Sequence, residues 1–282
     1  MPARLPLAVA STLLNTAHIE LWPAPLLRAR SNADARVIAR ASRVLRRKDD
    51  GRYLAAVVPE GLVGLLPGWS RTQGIDEALD RLEDAETRAA PIDADLVGTL
   101  PLSGLRQRLE VLGLDADGYA RRTGLELVAE PAALVLAGFD RYRRPLWLTG
   151  AAGRAWQAMH AAAAADHVAL DAVSGYRSHA YQLGIFERKL ARGQDVAQIL
   201  TVNAAPGYSE HHGGNALDIG TPGEPPAEES FERTGAFAWL TGNAGRFGFH
   251  MSYPRDNPHG IVYEPWHWRH GTADHPPAAR GG

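Results

Sequence analysis

The chain contains the stretch Pro206-Gly-Tyr-Ser-Glu-His-His-Gly-Gly-Asn-Ala-Leu-Asp-Ile-Gly220, which combines a serine, two histidines, an aspartate and four glycines. Two residues of metal-ligand type, His211 and Asp218, stand seven positions apart in it. Side chains of a strand alternate between its two faces, so this odd spacing would separate them. Gly213 and Gly214 lie between them and permit a turn that other residues avoid. We therefore predict His211 in a loop and Asp218 on a buried strand over residues 216–219.

A second polar cluster, Tyr263-Glu-Pro-Trp-His-Trp268, lies further along the chain. Catalytic zinc is typically bound by three protein ligands and keeps a fourth position for water, so His211, Asp218 and His267 form a suitable set for one Zn²⁺ ion. Glu264 would then act as general base on that water. Because Pro265 disfavours a helical conformation at Glu264, we expect the Glu264–His267 spacing on a kinked strand.

These clusters resemble the signatures of the zinc D-alanyl-D-alanine carboxypeptidases of the VanY type, whose relatives include D,D-dipeptidases and L,D-carboxypeptidases. The first signature matches as Ser209-x-His211-x-x-Gly214-x-Ala216-x-Asp218, and the second as Glu264-x-x-His267. A third, similar motif lies upstream as Ser174-Gly-Tyr-Arg-Ser178 with Gln182. The resemblance extends over roughly residues 125–270. The motifs are specific in combination and order, whereas any one of them alone is weak.

The resemblance implies a zinc peptidase that hydrolyses the C-terminal D-Ala-D-Ala bond, or a related bond, of peptidoglycan stem peptides. By the same resemblance, Arg177 stabilises the anionic tetrahedral intermediate, which suits a permanently charged guanidinium. Ser209 is implied to bind substrate near its terminal carboxylate, and Gln182 to lie close by. L,D-carboxypeptidase, D,D-dipeptidase and endopeptidase activities remain open, as does a non-catalytic zinc-stabilised module that binds the cell wall.

Several isolated histidines are predicted to be structural. His212 occupies an unconstrained position of the first motif and is interpreted as a neighbour of the site rather than a ligand. His160 is expected on the surface of a helix. Five more have no partner at useful spacing and are expected on the surface or in packed positions: His179, His250, His259, His270 and His275.

The composition limits the alternatives. A formal net charge of −2 over 282 residues gives no basic footprint for nucleic acid. The absence of cysteine excludes disulfides and cysteine-type structural zinc sites. No apolar run is long enough to predict a membrane-spanning helix, and the first 14 residues match a cleaved signal peptide poorly. We therefore expect a soluble protein and leave its compartment, cytoplasm or cell envelope, open.

The pattern predicts an α+β fold. Residues 123–272 would form the zinc carboxypeptidase domain, an antiparallel sheet with flanking helices, and residues 273–282 a disordered tail. Residues 1–122 would form a smaller helical or mixed accessory region of unknown role. Within it, apolar spacing predicts a helix over residues 35–47 and a strand over residues 53–58.

Further elements are expected along the second region. A short strand and helix are predicted over residues 125–136, an alanine-rich helix over residues 151–165, and a helix from about residue 180 with Ser178 as its N-cap. Residues 261–263 would form the strand that delivers Glu264.

Overall fold

The computed structural model describes residues 11–87, 98–102, 104–200 and 204–271. All strand pairings among these residues are antiparallel, and helices pack against the sheets, so the predicted α+β class is confirmed. The strands are β1 Thr12–Asn15, β2 Ile19–Pro23, β3 Arg43–Arg47, β4 Tyr53–Val58, β5 Gly61–Gly64, β6 Ala133–Phe139, β7 Pro145–Leu148, β8 Asp171–Ser174, β9 Ala216–Gly220, β10 Phe249–Met251 and β11 His267–His270. The α-helices are α1 Asn32–Ile38, α2 Ile75–Thr87, α3 Leu105–Val111, α4 Ala116–Thr123, α5 Gly150–Ala165, α6 His179–Leu190, α7 Val196–Leu200 and α8 Gly235–Asn243.

The larger sheet has seven strands in the order β5-β4-β3-β2-β1-β6-β7. Strand β1 pairs with β6, with Leu13 opposite Leu134, so hydrogen bonding continues across the predicted boundary at residue 122. Helix α2 covers this sheet through Ile75, Ala78 and Leu82, which share one helical face. The division into two domains stays a prediction, and the N-terminal strands and β6–β7 form a single sheet.

The smaller sheet carries the polar motifs and has the order β10-β11-β9-β8. Helices α5 and α8 bury one face of it, and the core between them includes Trp156, Met159, Leu217 and Trp268. Fully burying a side chain such as Met159 contributes roughly 1.5–3 kcal/mol. The two central strands, β9 and β11, are therefore held firmly in register.

The predicted helix over residues 35–47 is wrong in its second half. Helix α1 ends at Ile38, and residues 43–47 form strand β3, which pairs with β2 on one side and β4 on the other. Val44 and Leu45 are both fully buried although they point to opposite faces of the sheet. In a strand buried on both faces, apolar and polar residues do not alternate, so neighbouring apolar residues such as Val44 and Leu45 are also compatible with a helix.

Two further secondary-structure predictions are wrong, because the segments concerned do not form the predicted hydrogen-bonded elements. Residues 125–136 contain no helix and enter β6 only at Ala133, and residues 261–263 form no strand. A side chain holds this second segment instead, because Asn257 Nδ2 donates to the Ile261 carbonyl over 2.7 Å. Glu264 therefore precedes a turn rather than lying on a kinked strand.

The remaining elements named above are confirmed. They are β4, β9 and α5, together with α6, whose N-cap Ser178 accepts a hydrogen bond from the Tyr181 amide over 3.1 Å. The predictions for the first ten residues and for the tail after residue 272 lie outside the described residues. Within the described ranges, no helix has the length and apolar character needed to cross a bilayer.

Candidate metal centre

Three side chains of metal-ligand type meet beside the smaller sheet. Asp218 on β9 lies directly opposite His267 on β11 in the antiparallel register. His211 comes from the short 3₁₀ turn Glu210–Gly213 that precedes β9. One donor atom from each of the three lies within 4.8 Å of the others, and all three residues are buried. The structure thus brings together the predicted ligand set from positions up to 56 residues apart.

Gly214 directs His211 toward this point. It ends the 3₁₀ turn in the left-handed region, with φ of 68°, where glycine is favoured. A Cβ atom on Gly214 would stand 2.6 Å from Leu134 Cδ2, so any other residue would also displace the buried Leu134 side chain. The predicted turn between His211 and Asp218 is therefore present, and it resolves the problem of their odd spacing.

Both imidazoles turn one nitrogen outward to a fixed acceptor. His211 Nδ1 donates to the Gly175 carbonyl over 2.8 Å, and His267 Nε2 donates to Glu210 Oε2 over 2.8 Å. The inward nitrogens, His211 Nε2 and His267 Nδ1, then lie 3.2 Å and 3.1 Å from Asp218 Oδ1. One nitrogen of each imidazole and a carboxylate oxygen thus face one point, and His and Asp donors in this arrangement fit a zinc ion.

The charge states point to the same cation. Burial, followed by the charge of Arg177, lowers the pKa of His211 to about 4, so this ring is neutral at pH 7. Although burial opposes it, hydrogen bonding to Asp218 and Glu210 raises the pKa of His267 to about 10. A proton on His267 thus supplies positive charge between the carboxylates, and a bound metal ion would displace that proton.

Glu264 stands beside the ligand set. Its Oε2 atom lies 3.9 Å from His267 Nδ1, and its amide donates to the Tyr253 carbonyl over 3.0 Å. Burial raises the pKa of Glu264 to about 7. A carboxylate with such a pKa can accept a proton and release it again near neutral pH, as a general base requires.

Arg177 lies on the other side of Asp218. Its Nη2 atom is 3.9 Å from Asp218 Oδ2, and its buried Nε atom has no hydrogen-bond partner among the described residues. The backbone amide and carbonyl of Arg177 are both hydrogen-bonded. The amide donates to the His211 carbonyl, and the carbonyl accepts from His212 Nδ1. The guanidinium therefore keeps donors available for another molecule.

A cavity of about 300 Å³ opens onto these groups. Ser209, predicted to bind substrate, is buried in its wall, and so is Gln182. Gln182 Nε2 donates to the Ala204 carbonyl over 3.2 Å, whereas its Oε1 atom has no partner in the described part of the chain. All seven residues of the predicted site thus line one cavity: Arg177, Gln182, Ser209, His211, Asp218, Glu264 and His267.

Two residues of the site were missed by the sequence reasoning. Glu210 occupies a variable position of the first motif, yet it orients His267 and also accepts from Arg269 Nη1 over 3.2 Å. The Tyr253 ring packs on the His267 ring with centroids 4.9 Å apart. The adjacency of Glu210 to a ligand was the only available signal, and nothing in the sequence pointed to Tyr253.

His212 is a structural neighbour, as its position suggested. Both ring nitrogens are engaged by backbone groups, because Nε2 accepts from the Gly207 amide over 3.0 Å and Nδ1 donates to the Arg177 carbonyl over 2.7 Å. No lone pair remains for a metal. His212 instead joins the first motif to the segment that carries Arg177.

Comparisons with known proteins find similarity to one family of peptidases. The family model of VanY, D-alanyl-D-alanine carboxypeptidase, matches residues 146–273. The chain is 37% identical over 121 residues to a D-alanyl-D-alanine carboxypeptidase of Enterococcus faecalis, covering 39% of this chain and 42% of that protein. It is 30% identical over 146 residues to the bifunctional D-Ala-D-Ala dipeptidase and D-Ala-D-Ala carboxypeptidase VanXYC of Enterococcus gallinarum, covering 50% and 75%.

Among solved structures, the LdcB LD-carboxypeptidase matches with 32% identity and a TM-score of 0.45, over 50% of this chain and 69% of that one. The chain spans about half the length of the first curated relatives that it matches.

Proposed function

Because the chain belongs to the VanY family of D-alanyl-D-alanine carboxypeptidases, we propose that it is a zinc-dependent peptidase of peptidoglycan stem peptides. The proposed reaction is hydrolysis of the C-terminal D-Ala-D-Ala bond. The observation that carries this proposal is the convergence of His211, Asp218 and His267 on one point, with the Glu264 carboxylate beside it. A zinc ion in such a set supplies Lewis acidity and an activated water.

Glu264 is proposed as the general base. Its carboxylate faces the same point as the ligand atoms and lies in the cavity wall, where substrate would be bound. It would take a proton from the attacking water and deliver it to the leaving amine. Its ionised form is the competent one, so the base function requires a pH above the pKa of Glu264.

Arg177 is proposed to stabilise the developing oxyanion. The guanidinium lines the cavity, and its Nε–H has no hydrogen-bond partner among the described residues. It can therefore bind a negatively charged oxygen without first losing an existing hydrogen bond at Nε. Ser209 offers a hydroxyl to the same cavity, and Gln182 an amide oxygen that has no partner among the described residues. We propose that they orient the end of the stem peptide.

The cavity volume is consistent with a short peptide terminus as substrate. About 300 Å³ lies at the lower end of the range for ligand pockets and would hold two small residues. Val262, which is exposed, and Trp266 form part of its wall and would contact the substrate backbone or its methyl groups. This size favours small terminal residues over bulky ones.

The decisive experiment is digestion of defined stem peptides by the zinc-loaded protein, followed by mass spectrometry. A pentapeptide ending in D-Ala-D-Ala should lose one D-alanine, and a chelator should abolish the reaction. Loss of an intact D-Ala-D-Ala dipeptide, trimming of a tetrapeptide, or an internal cut would assign the dipeptidase, L,D-carboxypeptidase or endopeptidase activity instead. Zinc binding without any cleavage would support the non-catalytic wall-binding alternative.

A further inference from the structure

A second and larger cavity, of about 930 Å³, lies against the N-terminal strands. Its walls come from the β1–β2 turn, the end of β3, the 3₁₀ turn Trp69–Arg71, helix α3 and the start of α6. It shares no lining residue with the cavity at the metal centre. Its volume is near the upper end of the range for small-molecule sites.

The charge of this second cavity is unbalanced. Its lining contains four permanently basic side chains and two acidic ones. The two acidic groups already have partners, because Glu130 pairs with buried Lys48 over 2.5 Å and Asp49 pairs with Arg47 over 3.1 Å. Arg71 and Arg108 form no ion pair with any carboxylate of the described residues. Two guanidinium groups therefore leave a net positive charge in the cavity.

The electrostatic influence of Arg108 reaches two walls of the cavity. After burial, its charge is the largest cause that lowers the pKa of His18, which lies in the β1–β2 turn. It also contributes, with Lys48, to the lowered pKa of His179 at the start of α6. The charge of Arg108 is therefore felt on both sides of the space between the N-terminal strands and α6, although Glu77 and Glu130 act in the opposite direction on these two histidines.

The floor of the cavity is rigid. Glu130 accepts hydrogen bonds from Tyr176 Oη over 2.5 Å and from the His179 amide over 2.8 Å, in addition to the Lys48 pair. Asn15 Nδ2 donates to Glu130 as well over 3.3 Å, and a buried carboxylate with several donors holds its partners in fixed positions. Such a preorganised floor lowers the entropic cost of binding a ligand above it.

We propose that this cavity is a binding site for a small anionic molecule, held through phosphate or carboxylate groups by Arg71 and Arg108. Guanidinium groups bind both kinds of oxyanion in a bidentate manner. Thr72, Gln73 and Gln107 also line the cavity and add neutral hydrogen-bonding groups for the rest of the ligand. Arg71 is exposed and Arg108 half-buried, so an anion can reach both from solvent.

The test is titration of the full-length, zinc-loaded protein with inorganic phosphate and, separately, with succinate, followed by amide chemical shifts in NMR spectra. Either anion should shift amides around the cavity, such as those of Lys48, Thr72 and Gly104. The Arg108→Gln and Arg71→Gln variants should each bind about tenfold more weakly, because each removes a charged hydrogen-bond donor from the anion. Tighter binding of phosphate or of succinate would identify the preferred group.

Arg106→Gln is the matched control, because Arg106 lies on the same helix but is exposed and paired with Asp117. It should leave both affinities unchanged. The proposal is overturned if neither anion shifts the cavity amides, if shifts occur only around the metal centre, or if Arg106→Gln weakens binding as much as Arg108→Gln.

Discussion

Glu210 Oε2 accepts a hydrogen bond from His267 Nε2 over 2.8 Å, and this bond turns His267 Nδ1 toward Asp218. Glu210 is adjacent in sequence to His211 but supports His267, which lies 57 residues further along the chain. The 3₁₀ turn therefore contributes twice to the centre, once through a proposed ligand and once through the carboxylate that orients another.

The Glu210→Gln variant should bind zinc about 10–100-fold more weakly, because a carboxylate that orients a ligating histidine also raises its basicity. Affinity would be measured by competition with a chromogenic chelator. Glu228→Gln is the control, since Glu228 is exposed and is not among the residues that line the cavity at the metal centre. Equal zinc affinity in the two variants would show that the Glu210–His267 bond does not support metal binding.

The Glu264→Gln variant should keep its zinc and lose about 10²–10⁴-fold in kcat, the usual contribution of a general base. Zinc content by elemental analysis separates this outcome from loss of the metal. Burial raises the pKa of Glu264 to about 7 in the metal-free protein, and a bound cation would lower it. The activity of the unaltered protein should therefore fall as pH drops through the pKa that Glu264 has in the zinc-bound protein. The residual activity of the variant should not show this decrease at acidic pH.

Gly214→Ala should destabilise the protein and weaken zinc binding. The left-handed conformation costs a non-glycine residue roughly 1–2 kcal/mol, and the new methyl group would also stand 2.6 Å from Leu134 Cδ2. Urea unfolding and chelator competition would measure both effects. Gly223→Ala isolates the backbone strain, because Gly223 has φ of 86° and open space around its Cβ position. A stability loss no greater than that of Gly223→Ala would argue against the steric part.

Glu130 should contribute to stability in a pH-dependent manner. Despite its burial, the charges of Lys48 and His179 lower the pKa of Glu130 to about 2, from an ordinary value of 4.5. Because the folded-state pKa is depressed, this stabilisation is complete above pH 4.5 and is lost as pH falls through about 2. The advantage of the unaltered protein over Glu130→Gln should shrink across that window.

At pH 7 the Glu130→Gln variant should lose about 3–5 kcal/mol of unfolding free energy, since it leaves Lys48 buried without its charged partner. Denaturant unfolding at several pH values measures both quantities. Glu60→Gln serves as control, because its ion pair with Arg40 is exposed and should contribute less than about 1 kcal/mol. A constant difference between pH 7 and pH 2 would contradict the assigned role of Glu130.

Local sequence signals predicted elements well where one short-range interaction fixes them. Ser178 caps α6 as expected because its side chain bonds an amide only three residues away. The alanine-rich segment forms α5 because its intrinsic helical propensity agrees with its burial. Residues 43–47 gave the wrong prediction because strands on both sides, rather than local preference, select their conformation.

The sequence by itself determined the residue types of the centre and the need for a turn between His211 and Asp218, because motif spacing and glycine chemistry are local properties of the chain. Only the tertiary structure decided that Asp218 faces His267 across a strand pair, that Glu210 and Tyr253 support the His267 ring, and that Arg71 and Arg108 line a common cavity. The physical reason is that strand register and packing join residues that are distant in sequence. Charge, burial and hydrogen bonding are properties of those contacts, and a one-dimensional pattern does not contain them.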